Sequence, residues 1–135
     1  MFADTSGWAS LVDRRQSFHG LTTALVQQAA AEGRTIITTS YVLVELTALL
    51  TSPIRMSRQQ QIRYVNDIRG SSWEEVVFIN PALDAAAWRL WESRPDKEWT
   101  LVDCASFVVM QQRGLTEAVT TDHHFEQAGF VRLLK

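Results

Sequence analysis

An α/β fold, with a mostly parallel sheet covered by helices on both faces, is what this sequence predicts. Three observations point there. Short apolar segments alternate along the chain with longer segments of helical period. The short ones, such as Thr35-Ile-Ile-Thr38 and Glu75-Val-Val-Phe-Ile79, are β-branched and apolar, as buried parallel strands are. Four of the six helical segments open on a capping residue or a proline: Thr5-Ser6, Thr39-Ser40, Pro81 and Thr100.

Taken in order, Met1–Ala3 is a very short strand ending at Asp4. Thr5 and Ser6 cap a helix that starts near Gly7 and carries Trp8, Leu11 and Val12. Phe18–Glu32 forms a second helix, stopped by Gly33. Thr35–Thr38 is the second strand, and Thr39-Ser40 opens a third helix ending near Ser52-Pro53. Met56–Arg69 reads as an exposed amphipathic helix and Glu75–Ile79 as a third strand. Pro81 begins a helix carrying Leu83, Ala86, Ala87, Leu90 and Trp91. After a polar loop at Arg94–Trp99, Thr100–Arg113 is an apolar helix stopped by Gly114. Ala118–Thr121 is a fourth strand ending at Asp122, and Phe130–Leu134 a fifth.

The 135 residues suit one domain, residues 1–135, with a single core. A hydrophobic share of 46% and a charged share of 21% are ordinary for a globular protein. The net charge of −2 announces no global basic field, which argues against tight non-specific nucleic-acid binding but leaves room for a local basic rim. Cys104 is the single cysteine, so no internal disulfide forms, and a reducing cytoplasm is the expected location. It lies in an apolar helix and reads as core. The N-terminus has no signal-peptide pattern, and no window is apolar enough to span a membrane.

Acids carry the functional signal. On a helix, Val42, Glu45, Leu46 and Leu49 share one face, the face a globular domain buries. An isolated carboxylate there is very costly unless paired, protonated or bound to a cation. Asp4 and Asp122 fall at strand carboxyl ends, where open α/β sheets place their ligand crevice. Asp103 falls on the first turn of the helix opened by Thr100. Each aspartate alone has a bland reading, as a cap, a turn residue or a complement to a helix dipole. Together they are more specific, because carboxylates sharing a crevice repel one another, and a divalent cation such as Mg²⁺ or Mn²⁺ resolves that repulsion with oxygen ligands.

Other features admit two readings. His123 and His124 fit solvent or supporting positions better than a direct role, and His19 reads as surface. Thr5, Thr38, Thr100, Thr120 and Thr121 lie at strand ends where hydroxyls can orient a water or a carboxylate, or where β-branching alone explains them. Lys97 and Lys135 are the only lysines; Arg55, Arg58, Arg63 and Arg69 make the helix after Pro53 either a solvated face or a phosphate-contacting surface. Trp88 and Trp91 serve as core or as a dimer interface.

The segments Phe2-Ala-Asp4-Thr-Ser6, Thr38–Glu45, Thr100–Phe107 and Val119–Phe130 together resemble PIN-domain ribonucleases of the VapC toxin type, over essentially the whole chain. The first strand is shorter by a residue or two than the family's usual one. The resemblance implies a three-layer α/β/α domain with sheet order 3-2-1-4-5. It implies that Asp4, Glu45, Asp103 and Asp122 form an acidic metal site, with Thr5 and Thr100 as supporting hydroxyls. It implies Mg²⁺- or Mn²⁺-dependent hydrolysis of RNA to a 5′-phosphate and a 3′-hydroxyl, and an antitoxin partner; a homodimer, with Trp88 and Trp91 at its interface, is a separate expectation. The alternatives are a non-catalytic PIN-fold RNA- or protein-binding module, or a standalone PIN nuclease without antitoxin. A phospho-acceptor receiver would need a lysine at a later strand end, which neither lysine provides. A dinucleotide-binding enzyme would need a Gly-rich strand-to-helix turn, which is absent.

Overall fold

The computed structural model describes residues 1–135. Five strands form one sheet in the order β3-β2-β1-β4-β5, every pair parallel. They are β1 (Phe2–Ala3), β2 (Ile36–Thr39), β3 (Glu74–Val77), β4 (Glu117–Val119) and β5 (Val131–Arg132). Phe2 sits at the centre, in register with Ile37 on one side and Ala118 on the other. Such a strand has no solvent face, so Phe2, Ile36 and Ala118 are fully buried and the strands do not alternate in polarity.

Seven helices flank the sheet: α1 (Thr5–Val12), α2 (His19–Ala31), α3 (Ser40–Thr51), α4 (Arg58–Gly70), α5 (Pro81–Ser93), α6 (Leu101–Gln112) and the one-turn α7 (His124–Gln127). Expected boundaries move by a few residues at several ends, and α7 was not expected. The start of α1 moves most. Asp4, not Thr5 or Ser6, is its cap, accepting from the Gly7 amide at 2.9 Å. Three consecutive residues of cap-forming type leave the boundary open in sequence; the strand end decides it. Thr39 is both the last residue of β2 and the cap of α3, accepting from the Val42 amide at 3.1 Å.

Close packing of α1 on β4 aligns two of the acids. A Cβ on Gly7 would lie 2.1 Å from the Val119 carbonyl oxygen, so only glycine allows the helix to approach the strand this way. Beneath α1, the Trp8 indole donates to Thr38 Oγ1 at 3.0 Å, and Thr38 donates to the Ala3 carbonyl at 2.8 Å. Thr38 is thus a buried strut between α1, β1 and β2, not a lining residue of the crevice.

Several expectations change in three dimensions. The buried face of α3 comprises Val42, Leu43, Leu46 and Leu50, and Glu45 stands at its rim, half-buried. His19 is half-buried, with Nδ1 2.9 Å from the Ser10 carbonyl, tying α2 to α1. Trp88 and Trp91 are not core: they pair edge-to-face at 5.5 Å and are 42% and 46% exposed. Cys104 is core as expected, and burial pushes its thiol up to about 11. No helix is long and apolar enough to cross a membrane.

Candidate active site

Parallel strands end on one edge of the sheet, so Asp4 after β1 and Asp122 beyond β4 reach the same crevice. Glu45, on the second turn of α3, and Asp103, on the first turn of α6, approach it from the flanking helices. All four line a cavity of about 260 Å³ together with Thr5, Ser6, Val42, Leu49, Val102 and Ser106. No lysine or arginine is among these residues.

Hydrogen bonds hold the acids, some from their own element and some from across the crevice. Asp4 accepts from the Gly7 amide and from Ser6 Oγ at 2.7 Å through Oδ1, and from Thr120 Oγ1 at 2.6 Å through Oδ2. Thr120 Oγ1 in turn accepts from the Asp122 amide at 2.9 Å, and Ser6 Oγ from the Thr121 amide at 2.9 Å. Hydroxyls therefore lace the end of β1 to the chain beyond β4. Thr5 donates a short hydrogen bond to Glu45. Asp103 completes a capping box: Thr100 Oγ1 accepts from the Asp103 amide at 3.1 Å, and Asp103 Oδ2 accepts from the Thr100 amide at 3.0 Å. Thr100 thus acts through Asp103 and does not line the cavity.

Electrostatics match a buried acid cluster lined by no lysine or arginine. Burial, the largest cause, pushes the Asp4 carboxyl up to about 7 against its hydrogen bonds, with the charge of Asp122 adding to the rise. Glu45 is raised by burial and by the charges of Asp103 and Asp122, and Asp103 by burial and by Asp122. These three groups hold protons more tightly than free carboxyls.

Two features went unread in the sequence. Ser6 appeared only as a helix cap, yet it orients Asp4; the signal was its place two residues after a strand-end acid. His124, expected at a solvent or supporting position, is 17% exposed, with Nδ1 3.4 Å from Asp103 Oδ2 and 3.3 Å from Asp122 Oδ1. That nitrogen is buried without a hydrogen-bond partner. Donor atoms of Asp122, His123 and His124 lie within 4.8 Å of one another. An orphaned buried nitrogen beside carboxylate oxygens is a donor set that fits a divalent cation.

A larger cavity of about 680 Å³ lies apart from the acids, between α3 and α4, lined by Val44, Ala48, Ile62 and Val65 among others. Its character is apolar and it holds no titratable acid or base but Arg58, so chemistry belongs to the smaller, acidic one. On α4, Arg58, Arg63 and Arg69 are exposed, as is Arg55 just before it, and none of the four forms an ion pair.

Comparison with known proteins places this geometry. The PIN domain model matches residues 1–131. The chain is 30% identical over 133 residues to the 23S rRNA-specific endonuclease VapC20 of Mycobacterium tuberculosis, in two strains, covering 98% of this chain and 97% of the relative. It superposes with a TM-score of 0.84 on the crystal structure of Mycobacterium tuberculosis VapC20, a Sarcin-Ricin loop cleaving toxin, at 30% identity over 96% of this chain and 95% of that one. The chain belongs to the PIN-domain family, and its full-length kinship is with a VapC-type endoribonuclease toxin.

Proposed function

We propose that the protein is a metal-dependent endoribonuclease and the toxin of a toxin–antitoxin pair. The observation that carries this is the convergence of Asp4, Glu45, Asp103 and Asp122 on one cavity whose lining includes no basic side chain. Such a pocket repels a phosphodiester unless its charge is neutralised, so substrate binding and chemistry share one requirement. Asp4, Asp103 and Asp122, with Glu45, would hold Mg²⁺ or Mn²⁺. When bound, that ion supplies charge stabilisation at the phosphate and lowers the pKa of a coordinated water.

The chain's own residues set the remaining conditions. Ser6, Thr120 and the Gly7 amide fix both oxygens of Asp4, so its carboxylate is oriented before any ligand arrives. Thr5 aims Glu45 at the crevice, where a half-buried carboxylate of raised proton affinity can take a proton from an attacking water. The capping box holds Asp103 against rotation. The unpaired arginines of and before α4 offer a surface for the RNA backbone at bidentate geometry. The relatives' action on 23S rRNA makes ribosomal RNA the first substrate to test.

Purified protein should cleave ribosomal RNA at a discrete site with Mg²⁺ or Mn²⁺, leaving a 5′-phosphate and a 3′-hydroxyl. Excess chelator or Asp103→Asn should abolish cleavage. Undiminished cleavage in chelator would overturn the metal mechanism, and intact RNA under all metal conditions would overturn the nuclease. As a cytoplasmic toxin it should arrest growth when expressed alone and be relieved by its cognate antitoxin, whose basic residue would neutralise the acids.

A further inference from the structure

We infer that His124 supplies a nitrogen ligand to the cation held between Asp103 and Asp122, which tilts the site toward a first-row transition ion such as Mn²⁺ over Mg²⁺. The inference rests on the metal-dependent reading above and goes beyond it, since an all-carboxylate site needs no histidine.

Three atoms carry the argument. His124 Nδ1 lies 3.4 Å from Asp103 Oδ2 and 3.3 Å from Asp122 Oδ1. Charge-assisted N–H···O bonds run roughly 2.7–2.9 Å, so neither contact is a well-made hydrogen bond. The nitrogen is nevertheless buried and has no other partner. Donors bound to one small octahedral ion at about 2.1 Å lie about 3.0 Å apart when adjacent. Each of the two N···O distances is therefore close to that between neighbouring ligands around an ion, and long for hydrogen bonding.

Both oxygens are anchored in a way that leaves them free to ligate. Asp103 Oδ2 accepts the Thr100 amide at 3.0 Å, and Asp122 Oδ1 accepts the His124 amide at 2.9 Å. Each keeps a lone pair. His124 thus orients Asp122 through its backbone and presents its ring to the same oxygen. His123 is the competing nitrogen donor, but it is less enclosed: its side chain is 63% exposed and its Nδ1 lies 3.8 Å from Asp122 Oδ1. Mg²⁺ keeps oxygen ligands and waters, whereas an imidazole nitrogen suits ions further along the Irving–Williams order.

The test uses the full chain loaded with Mn²⁺. Titration followed by EPR gives the stoichiometry, and pulsed EPR reads nitrogen coupling at the bound ion. Directly bound ¹⁴N is expected in wild type and in His123→Ala, and its loss in His124→Phe. Mn²⁺ affinity should fall about tenfold or more in His124→Phe, and Mg²⁺ affinity less, so that the Mn²⁺/Mg²⁺ preference narrows. If His124→Phe does not fold, ¹⁵N-histidine wild type decides, because the coupling must change with the isotope. Stoichiometric Mn²⁺ without nitrogen coupling would overturn the inference and leave the carboxylate site standing. Coupling lost in His123→Ala and kept in His124→Phe would also overturn it. Failure to bind Mn²⁺ at all would overturn both.

Discussion

Replacing Asp4 with asparagine should make the metal-free protein more stable, and more so at high pH. Burial lifts the Asp4 carboxyl from its ordinary 3.8 to about 7. A carboxyl whose folded pKa is raised destabilises the fold once it must ionise there. Below 3.8 both states are protonated and nothing is lost; between 3.8 and about 7 the unfolded chain ionises first and the penalty grows; above 7 it is complete. The gap is about three pH units at ~1.4 kcal/mol each, hence a ceiling of ~4 kcal/mol at pH 8 and ~1.6 kcal/mol at pH 5. Asparagine keeps an oxygen for the Gly7 amide but presents an amide NH₂ to Thr120, a loss that does not vary with pH. The variant's advantage should therefore grow by ~2.5 kcal/mol between pH 5 and pH 8, roughly 10 °C in Tm for a chain of this size. Thermal melts in chelator at the two pH values measure it. An equal displacement at both would refute the buried-carboxylate account. Divalent metal should raise the wild-type Tm and raise the variant's less.

Other outcomes follow from the same geometry. Asp103→Asn, which keeps an acceptor for the Thr100 amide, should abolish cleavage with little change in metal-free Tm, whereas Asp103→Ala should also lose the capping box and ~1 kcal/mol; equal melts for the two would show that the box contributes nothing. Gly7→Ala should destabilise by several kcal/mol and impair metal binding, because its Cβ would sit 2.1 Å from the Val119 carbonyl; a wild-type Tm would mean that α1 can ride away from β4. The protein should sediment as a homodimer at high micromolar concentration, with Trp88→Ser/Trp91→Ser shifting it toward monomer. A monomeric wild type would refute that assembly.

Residues with an unusual local pairing of chemistry and position were readable in sequence. Glu45 stood out because it interrupts an apolar stripe, and Asp4 because it ends a strand and begins a helix. Even there the reading was coarse: Leu43 and Leu50, not Leu49, complete the buried face of α3, which leaves Glu45 at the rim where a ligand can reach it. Sheet order came from the family resemblance, since periodicity alone does not choose which parallel strands neighbour. The hydroxyl lacing through Ser6 and Thr120 joins residues 114 apart and has no local signature. His124 was hidden by the same limit, because its ring matters only once α6 brings Asp103 beside it. Trp88 and Trp91 sit on a helix where period and composition fit core and interface equally, and only their exposure separates the two.

The acids meet where they do because of where the chain reverses its order across the sheet. From β1 it moves outward on one side through β2 to β3, then crosses back by α5 and α6 to β4 on the other side. The connections that leave β1 and β4 run in opposite senses, toward β2 and toward β5, so they diverge and open a crevice between the two strand ends. Asp4 and Asp122 flank that crevice as strand-end residues. The crossing itself delivers Asp103, since α6 must start on this edge in order to descend to β4. Only Glu45 comes from the other side of β1, and Thr5, on the first turn of α1, is the residue that ties it in. Thr5→Val should therefore differ from loss of an acid. It removes no charge, so metal should still bind Asp4 and Asp103, but Glu45 loses its one hydrogen-bond partner and its fixed orientation. The expected signature is a fall in kcat of roughly 10–100-fold with metal affinity changed less than about threefold. A variant with metal affinity and kcat reduced in parallel would instead make Thr5 part of the cation's own support.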